Sequence, residues 1–357
     1  MQLVDYMEFV DSFKKSAQIE SRLILGNLEL CSQPIVSIVI PTFRRPEFLE
    51  FALDSALNQT DAGCSYEVIV VDNDPTSQEI SETEKLISRY QNPNLLYYRN
   101  DENLGIAGNW NRCALLARGE WVSFLHDDDI LLPDYLCKVR KLLGKGDNIA
   151  GIMVLSYLLY DGNSLQDAIA GRTASMLSRM YDKLSRNKLM RLRQTDSHLK
   201  LSNIYGAPTC GSIFRKDLMV KSGGFNDNFH PSFDWFFLYR YCKKFRLYRS
   251  MERLGYYRFF ANVSLMDKTK AAFIRDRISF AKYAAGHSGL GSMMRRLFSN
   301  EQNNAILNEE YSDFAGKEAE GFFASSDIKV RYFRKPLYRA VTQGYWHLKT
   351  IFSLIFG

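Results

Sequence analysis

Three consecutive carboxylates, Asp127, Asp128 and Asp129, follow an apolar run in this chain of 357 residues. Adjacent carboxylates repel one another, and a counter-charge is needed to keep them ionised. A divalent cation supplies one, since Mg2+ and Mn2+ prefer carboxylate and phosphate oxygens and are commonly shared with a substrate phosphate. The competing reading is an Asp-rich turn that caps a helix beginning near Pro133; the apolar run directly upstream favours the metal. Asp72 and Asp74 lie in Asp-Asn-Asp-Pro. A carboxylate there can accept a hydrogen bond from a base N–H or a ribose hydroxyl, although the same tetrapeptide is strong turn chemistry. Arg44 and Arg45 follow Pro41-Thr42-Phe43, and either can pair with a phosphate or lie solvated. Asn103, Gly105 and Gly108 open a helix whose first N–H groups favour an anion, and the glycines let a ligand approach. Their spacing is neither GxGxxG nor a P-loop. Asp234, in Ser-Phe-Asp-Trp-Phe-Phe, is either a helix cap or a general base for an acceptor hydroxyl, with Phe233 and Trp235 beside it to exclude water. The five histidines are scattered and form no zinc pattern.

These groups need elements to position them. Residues 35–40, 66–71, 95–98 and 121–125 are apolar, β-rich runs, and residues 46–58, 78–90, 106–117 and 133–143 carry helical patterns between them. Continuous apolar strands alternating with helices predict a mostly parallel sheet with helices on both faces. Ligands of such sheets gather at the carboxyl ends of strands. The polar groups fall there: Thr42–Arg45, Asp72–Asp74 and Asp127–Asp129. Residues 1–34 read as a helical or irregular extension. Residues 156–203 read as a helical insertion or a flap. A Gly-Ala-Pro turn, an apolar stretch, the Gly223-Gly224 turn and a helix from about Asp234 follow.

Composition is that of a globular chain, 46% hydrophobic and 24% charged. Six singly spaced cysteines give neither a disulfide framework nor a zinc site and suit a reducing, cytoplasmic setting. No signal-like segment and no run of about 18 apolar residues is present. Residues 328–349 hold six basic and no acidic residues, matching the chain's net charge of +6, with Tyr332, Phe333, Tyr338, Tyr345 and Trp346 interleaved. This tail reads as a solvated helix or as a peripheral contact with anionic membrane; nucleic acid is not expected.

Val-Ser-Ile-Val-Ile-Pro-Thr-Phe-Arg-Arg, Glu-Val-Ile-Val-Val-Asp-Asn-Asp, Asn-Leu-Gly-Ile-Ala-Gly-Asn-Trp-Asn and Trp-Val-Ser-Phe-Leu-His-Asp-Asp-Asp-Ile-Leu-Leu-Pro occur in this order. Together they resemble family 2 glycosyltransferases over residues 35–264. The resemblance implies a GT-A fold of the α/β class with a C-terminal helical appendage, and a catalytic domain at 35–264. That domain has a nucleotide-sugar half at 35–150 and an acceptor half at 151–264, flanked by the 1–34 extension and a 265–357 basic region. It implies inverting transfer from a nucleotide-diphosphate sugar, taken as a UDP-sugar, to a hydroxyl of a growing surface glycan such as an O-antigen or capsule, with Mn2+ or Mg2+ as cofactor. By position, Pro41, Thr42 and Arg44 line the nucleotide, Asp72 reads the base, and Asn103 and Gly105 lie close by. Asp127, Asp128 and Asp129 form the DXD segment that holds metal and sugar. Gly211 and Ser212 approach the donor sugar, and Asp234 is the base. Three positions depart from the pattern: His126 replaces a first Asp, Phe260 replaces a ligating His, and Phe233 replaces an acidic residue. Two rival readings are a nucleotide-sugar-binding protein without catalysis and a nucleotidyltransferase.

Overall fold

The computed structural model describes residues 5–29, 33–75, 80–146, 148–159, 176–192 and 209–258, and isolated helical positions between 269 and 283. The chain divides into two units: residues 9–192 with 206–259, and residues 1–8 with 193–205 and 260–356. In the second unit, Tyr6 sits edge-on to Phe280 and Tyr283, and the Tyr283 hydroxyl donates to Asp5 Oδ1. The expected 265–357 appendage, its basic tail and Phe260 lie outside the described residues, apart from those isolated positions.

The first unit carries the sheet. Its strands are β1 (Ser21–Leu25), β2 (Val36–Thr42), β3 (Tyr66–Asp72), β4 (Leu95–Asn100), β5 (Trp121–Phe124), β6 (Ile130–Leu131), β7 (Gly151–Leu159), β8 (Leu189–Leu192), β9 (Ser212–Arg215) and β10 (Leu247–Arg258). The helices are α1 (Phe13–Gln18), α2 (Pro46–Leu57), α3 (Glu82–Ile87), α4 (Gly105–Leu116), α5 (Tyr135–Leu143), α6 (Met176–Ser185), α7 (Lys216–Lys221) and α8 (Phe233–Lys244), with a short 3-10 turn at Asp227–Phe229. Among the described residues the strand order is β1-β4-β3-β2-β5-β9-β7-β10-β6, with β8 on β10. The core β4-β3-β2-β5 is parallel, as the apolar runs predict, and β7 pairs parallel with β10.

Every residue of β2 is buried. Its alternation divides the core: Ile38 and Ile40 face α2, α3 and α5, whereas Val39 faces α4 and α8. Pro41 sits in this central strand where its missing N–H costs no ladder bond. The pairing of β2 with β5 ends at Val39–Phe124, and only β3 continues alongside. Because β5 stops at Phe124 while β2 and β3 run on to Thr42 and Asp72, the next residues of the chain fold across the strand ends.

One element differs from the sequence reading and another was not read from it. Residues 21–25, expected to be helical or irregular, add an antiparallel edge strand to β4, and α1 buries Phe13 and donates Ser16 Oγ to Gly108 O at 3.0 Å. Polar residues Arg22 and Ser21 hide this strand from an apolar pattern, but an edge strand buries only one side. Residues 247–258 form the longest strand, although Arg249, Ser250, Glu252 and Arg253 interrupt any alternation. The irregular register against β7 accommodates them. Of the 156–203 stretch, residues 176–185 are helical and 189–192 pair with β10.

Candidate active site

Thr42 closes β2 and donates its hydroxyl to Asp127 Oδ2 at 2.9 Å, tying the strand end to the acidic segment. The chain then turns through Arg44, which has φ +55, a conformation that residues with a Cβ seldom adopt. The turn separates two consecutive arginines. Arg44 points outward and grips both oxygens of Asp74, at 2.7 and 3.1 Å. Arg45, just before Pro46 opens α2, points inward. Its Nη1 lies 3.1 Å from Asp127 Oδ1 and its Nη2 lies 3.0 Å from Asp128 Oδ2.

Each of the three carboxylates has a different set of partners. Burial pushes the Asp127 pKa up to about 7, with Asp128 adding to the rise and Arg45, Thr42 and His126 opposing it. Asp128 is held through Arg45 and, at its backbone carbonyl, by Arg258 Nε at 2.8 Å. Asp129 is fully buried and accepts the Arg258 backbone N–H at 2.9 Å; burial raises its pKa, against the pull of His126. Arg258, the last residue of β10, thereby pins the segment from the strand that pairs with β6.

His126 lies 2.8 Å from Asp129 Oδ2 through Nδ1 and 2.6 Å from Thr209 Oγ1 through Nε2. Burial alone would lower its pKa, but Asp129, Asp128 and Asp234 together outweigh that and hold it at about 9. The sequence suggested no role for this histidine beyond the departure from a first Asp. Ligand atoms of His126, Asp128 and Asp129 lie within 4.8 Å of one another. Two carboxylates and a neutral imidazole suit a divalent cation, whose binding would displace the proton that His126 carries without it, with the nitrogen favouring Mn2+ over Mg2+. These residues fit a metal. Asp127, expected in the same set, is instead turned towards Thr42 and Arg45.

Asp234 sits in the first turn of α8, partly exposed, with Oδ1 accepting from Trp235 N at 2.7 Å. Burial raises its pKa to about 6, partly offset by the Trp235 N–H and by His126. Trp110 of α4 brings this helix to the acidic segment: its ring centroid lies 5.1 Å from both His126 and Phe233.

The end of β3 is organised by amides. Asp72 is fully buried, accepting from Asp74 N at 3.0 Å and from the Tyr97 hydroxyl at 2.9 Å. Burial raises its pKa against these donors. Asn73, which the sequence offered only as part of a turn, is the hub. Its Nδ2 donates to Asn103 Oδ1 and Gly105 O, and its Oδ1 accepts from Leu104 N and Asn100 Nδ2. Asn103 also accepts Gly105 N at 2.9 Å. Asn103 and Gly105 are thus brought to the end of β3. Ser212 is not open to a ligand: it is fully buried, with Oγ accepting Val154 N at 3.2 Å. Its neighbour Gly211 is held by the Tyr135 hydroxyl on its carbonyl and by its N–H on Phe124 O.

The profile of glycosyl transferase family 2 matches residues 37–222, just over half of the chain. An uncharacterized glycosyltransferase of Methanocaldococcus jannaschii is 31% identical over 139 residues, covering 38% of this chain and 46% of that protein. A putative colanic acid biosynthesis glycosyl transferase of Escherichia coli is 31% identical over 105 residues, covering 29% of this chain and 36% of that protein. The chain therefore spans less than half the length of either relative. The fold is similar to that of S. aureus TarS 1-349 in complex with UDP-GlcNAc, with a TM-score of 0.53 at 16% identity over 81% of this chain and 78% of that one.

Proposed function

This chain belongs to glycosyl transferase family 2, and from that premise we propose that it transfers a sugar from a nucleotide-diphosphate donor to an acceptor hydroxyl, with inversion at the anomeric carbon. One observation carries the reading. Thr42, Asp72 and the Asp127–Asp129 segment gather at the carboxyl ends of parallel strands β2, β3 and β5, and Asp234, a partly exposed carboxylate whose pKa is about 6, lies close enough to His126 for each to shift the other.

Asp234 is the base. It is ionised near neutrality yet more basic than an ordinary carboxylate, which suits proton abstraction in the transition state. Its Oδ1 is fixed by Trp235 N, which leaves Oδ2 to take the acceptor proton. The acceptor oxygen attacks the anomeric carbon from the face opposite the nucleotide, and the bond to the donor diphosphate breaks. Asp128 and Asp129, with His126, would hold the divalent cation, Mn2+ or Mg2+, and Asp127 orients the segment through Thr42. When bound, the cation supplies counter-charge for the departing diphosphate. Arg44, Asn103 and Gly105 line the nucleotide, with Pro41, Thr42 and Asp72 buried beneath them as its floor; we take the nucleotide as a uridine diphosphate, the one named with TarS. The acceptor is a growing surface glycan, in keeping with the colanic acid relative. The basic aromatic stretch at 328–357 brings the enzyme to an anionic membrane surface from the cytoplasmic side.

A binding protein without catalysis has one observation in its favour: Asp127 and Asp128 are both already paired with Arg45. Thermal shift with nucleoside diphosphates and nucleotide sugars, with and without Mn2+, tests the donor site, because a ligand of the native state raises the melting temperature. One nucleotide is expected to stabilise the protein only with metal, and Asp128→Ala to abolish the shift. No shift with any nucleotide would overturn the donor site. Binding without release of the nucleotide from its sugar in the presence of acceptor would leave the non-catalytic reading.

A further inference from the structure

We propose that Arg45 is a resident counter-cation of the acidic segment. In this role it holds Asp127 and Asp128 until a divalent cation displaces it, and then turns its two donors to the donor diphosphate. The proposal rests on the donor-site reading above.

The guanidinium fork spans two different carboxylates, one bond to each, rather than both oxygens of one. It therefore lacks the bidentate geometry that makes Arg–carboxylate pairs strong, such as the pair Arg44 makes with Asp74. The side chain is 26% exposed, so it has room to move. Its guanidinium lies 4.8 Å from the centre of the Phe48 ring, a face that can keep it in place while its hydrogen bonds change. The backbone beneath is fixed independently: Arg258 holds Asp128 O and Asp129 Oδ1, and Thr42 holds Asp127. Release of the fork therefore does not unmake the segment.

A cation that uses Asp128 Oδ2 competes with Arg45 for the same oxygen, and two positive charges about 4 Å apart repel. A diphosphate changes the sign of that contact. Its oxygens bring negative charge to the place where the fork is released, and guanidinium pairs well with phosphate. Metal alone must break the Arg45 contacts without return, whereas metal with diphosphate replaces them. The two ligands should therefore bind with positive coupling that passes through this one side chain.

The test is calorimetric titration of Mn2+ alone, and of the stabilising nucleoside diphosphate with and without Mn2+, into wild type, Arg45→Gln and Arg45→Lys. Relative to wild type, Arg45→Gln should bind Mn2+ alone about tenfold more tightly and the diphosphate with Mn2+ about tenfold more weakly, the scale of one charge-assisted hydrogen bond. Arg45→Lys, which keeps the charge but cannot span both carboxylates, should fall between. If Arg45→Gln fails to fold by circular dichroism, Arg45→Lys alone carries the test. A variant that binds both ligands as wild type does, or that loses Mn2+ affinity, overturns the proposal. If wild type itself binds neither ligand, the donor-site reading falls instead.

Discussion

Asp234 carries the chemistry proposed here, and its surroundings fix the expected pH response. A base must be ionised to act, and burial raises this carboxylate to about 6. Transfer at saturating substrate should therefore fall as pH drops through about 6, rather than near 4. Asp234→Asn should lower the turnover rate about a thousandfold while leaving the metal-dependent thermal shift intact; loss of nucleotide binding would instead make Asp234 part of the donor pocket. The acidic segment makes a second pH prediction. Asp127 is raised to about 7 and His126 to about 9. Both hold a proton in the folded state over a range where the unfolded chain releases it. The stability each lends is complete below its unfolded pKa and is lost as pH rises through the folded value. The metal-free protein should thus lose melting temperature between about pH 4 and 9. Asp127→Asn should flatten the lower part of that decline and His126→Gln the upper part. A decline of wild-type steepness in both variants would show that other groups set it. The repulsion of adjacent carboxylates points upward for Asp127 from sequence alone, but neither the extent of its shift nor the shift of His126 was legible, because both depend on burial and on partners as distant along the chain as Arg45 and Asp234.

At the scale of elements, the join between β3 and α4 is made by side-chain amides rather than by strand pairing. Asn73 satisfies two acceptors and is satisfied by two donors. Asn73→Ala would strand several buried polar groups, and should cost roughly 2 kcal/mol in urea unfolding while raising the donor concentration needed for half-maximal activity. Two glycines with positive φ make a paired test. Gly105 has φ +70, and an added Cβ would stand 3.9 Å from Asp227 Oδ2, an ordinary contact. Gly105→Ala should therefore cost about 1 kcal/mol through its backbone alone. Gly224 also has φ +70, but its Cβ would meet Asn111 Oδ1 at 2.5 Å and Phe13 Cε2 at 2.7 Å. Gly224→Ala should cost about 3 kcal/mol, and equal losses at the two sites would refute the crowding argument. The helix starts at Pro46 and Gly105 and a strand at 35–40 could be read from the sequence, since local pattern sets them; its continuation through Pro41 to Thr42 could not, because pairing with β3 alone carries it. The edge strand 21–25 and the long strand 247–258 could not, because their pairing partners make them strands.

For the whole molecule, no helix among the described residues is long and apolar enough to cross a membrane. Residues 328–357 are the segment whose basic and aromatic composition would suit an anionic membrane surface. Deleting them should abolish sedimentation with vesicles containing anionic lipid and leave transfer to a soluble acceptor unchanged; undiminished sedimentation would place the contact elsewhere. The sequence by itself determined the family, the parallel core and the clustering of Thr42, Asp72 and Asp127–Asp129 at strand ends. The family follows from the resemblance of four motifs taken in order; the core and the clustering follow from short-range patterns, apolar runs of strand length and polar residues that must fall where those runs stop. Only the tertiary structure decided what each of those polar residues faces. It turned Arg44 out and Arg45 in, gave Asp127 to Thr42, set His126 between Asp129 and Thr209, and buried Ser212 within the sheet. These outcomes depend on a backbone turn at one residue and on contacts between strands far apart in the chain, and electrostatics within a buried site acts through distance in space.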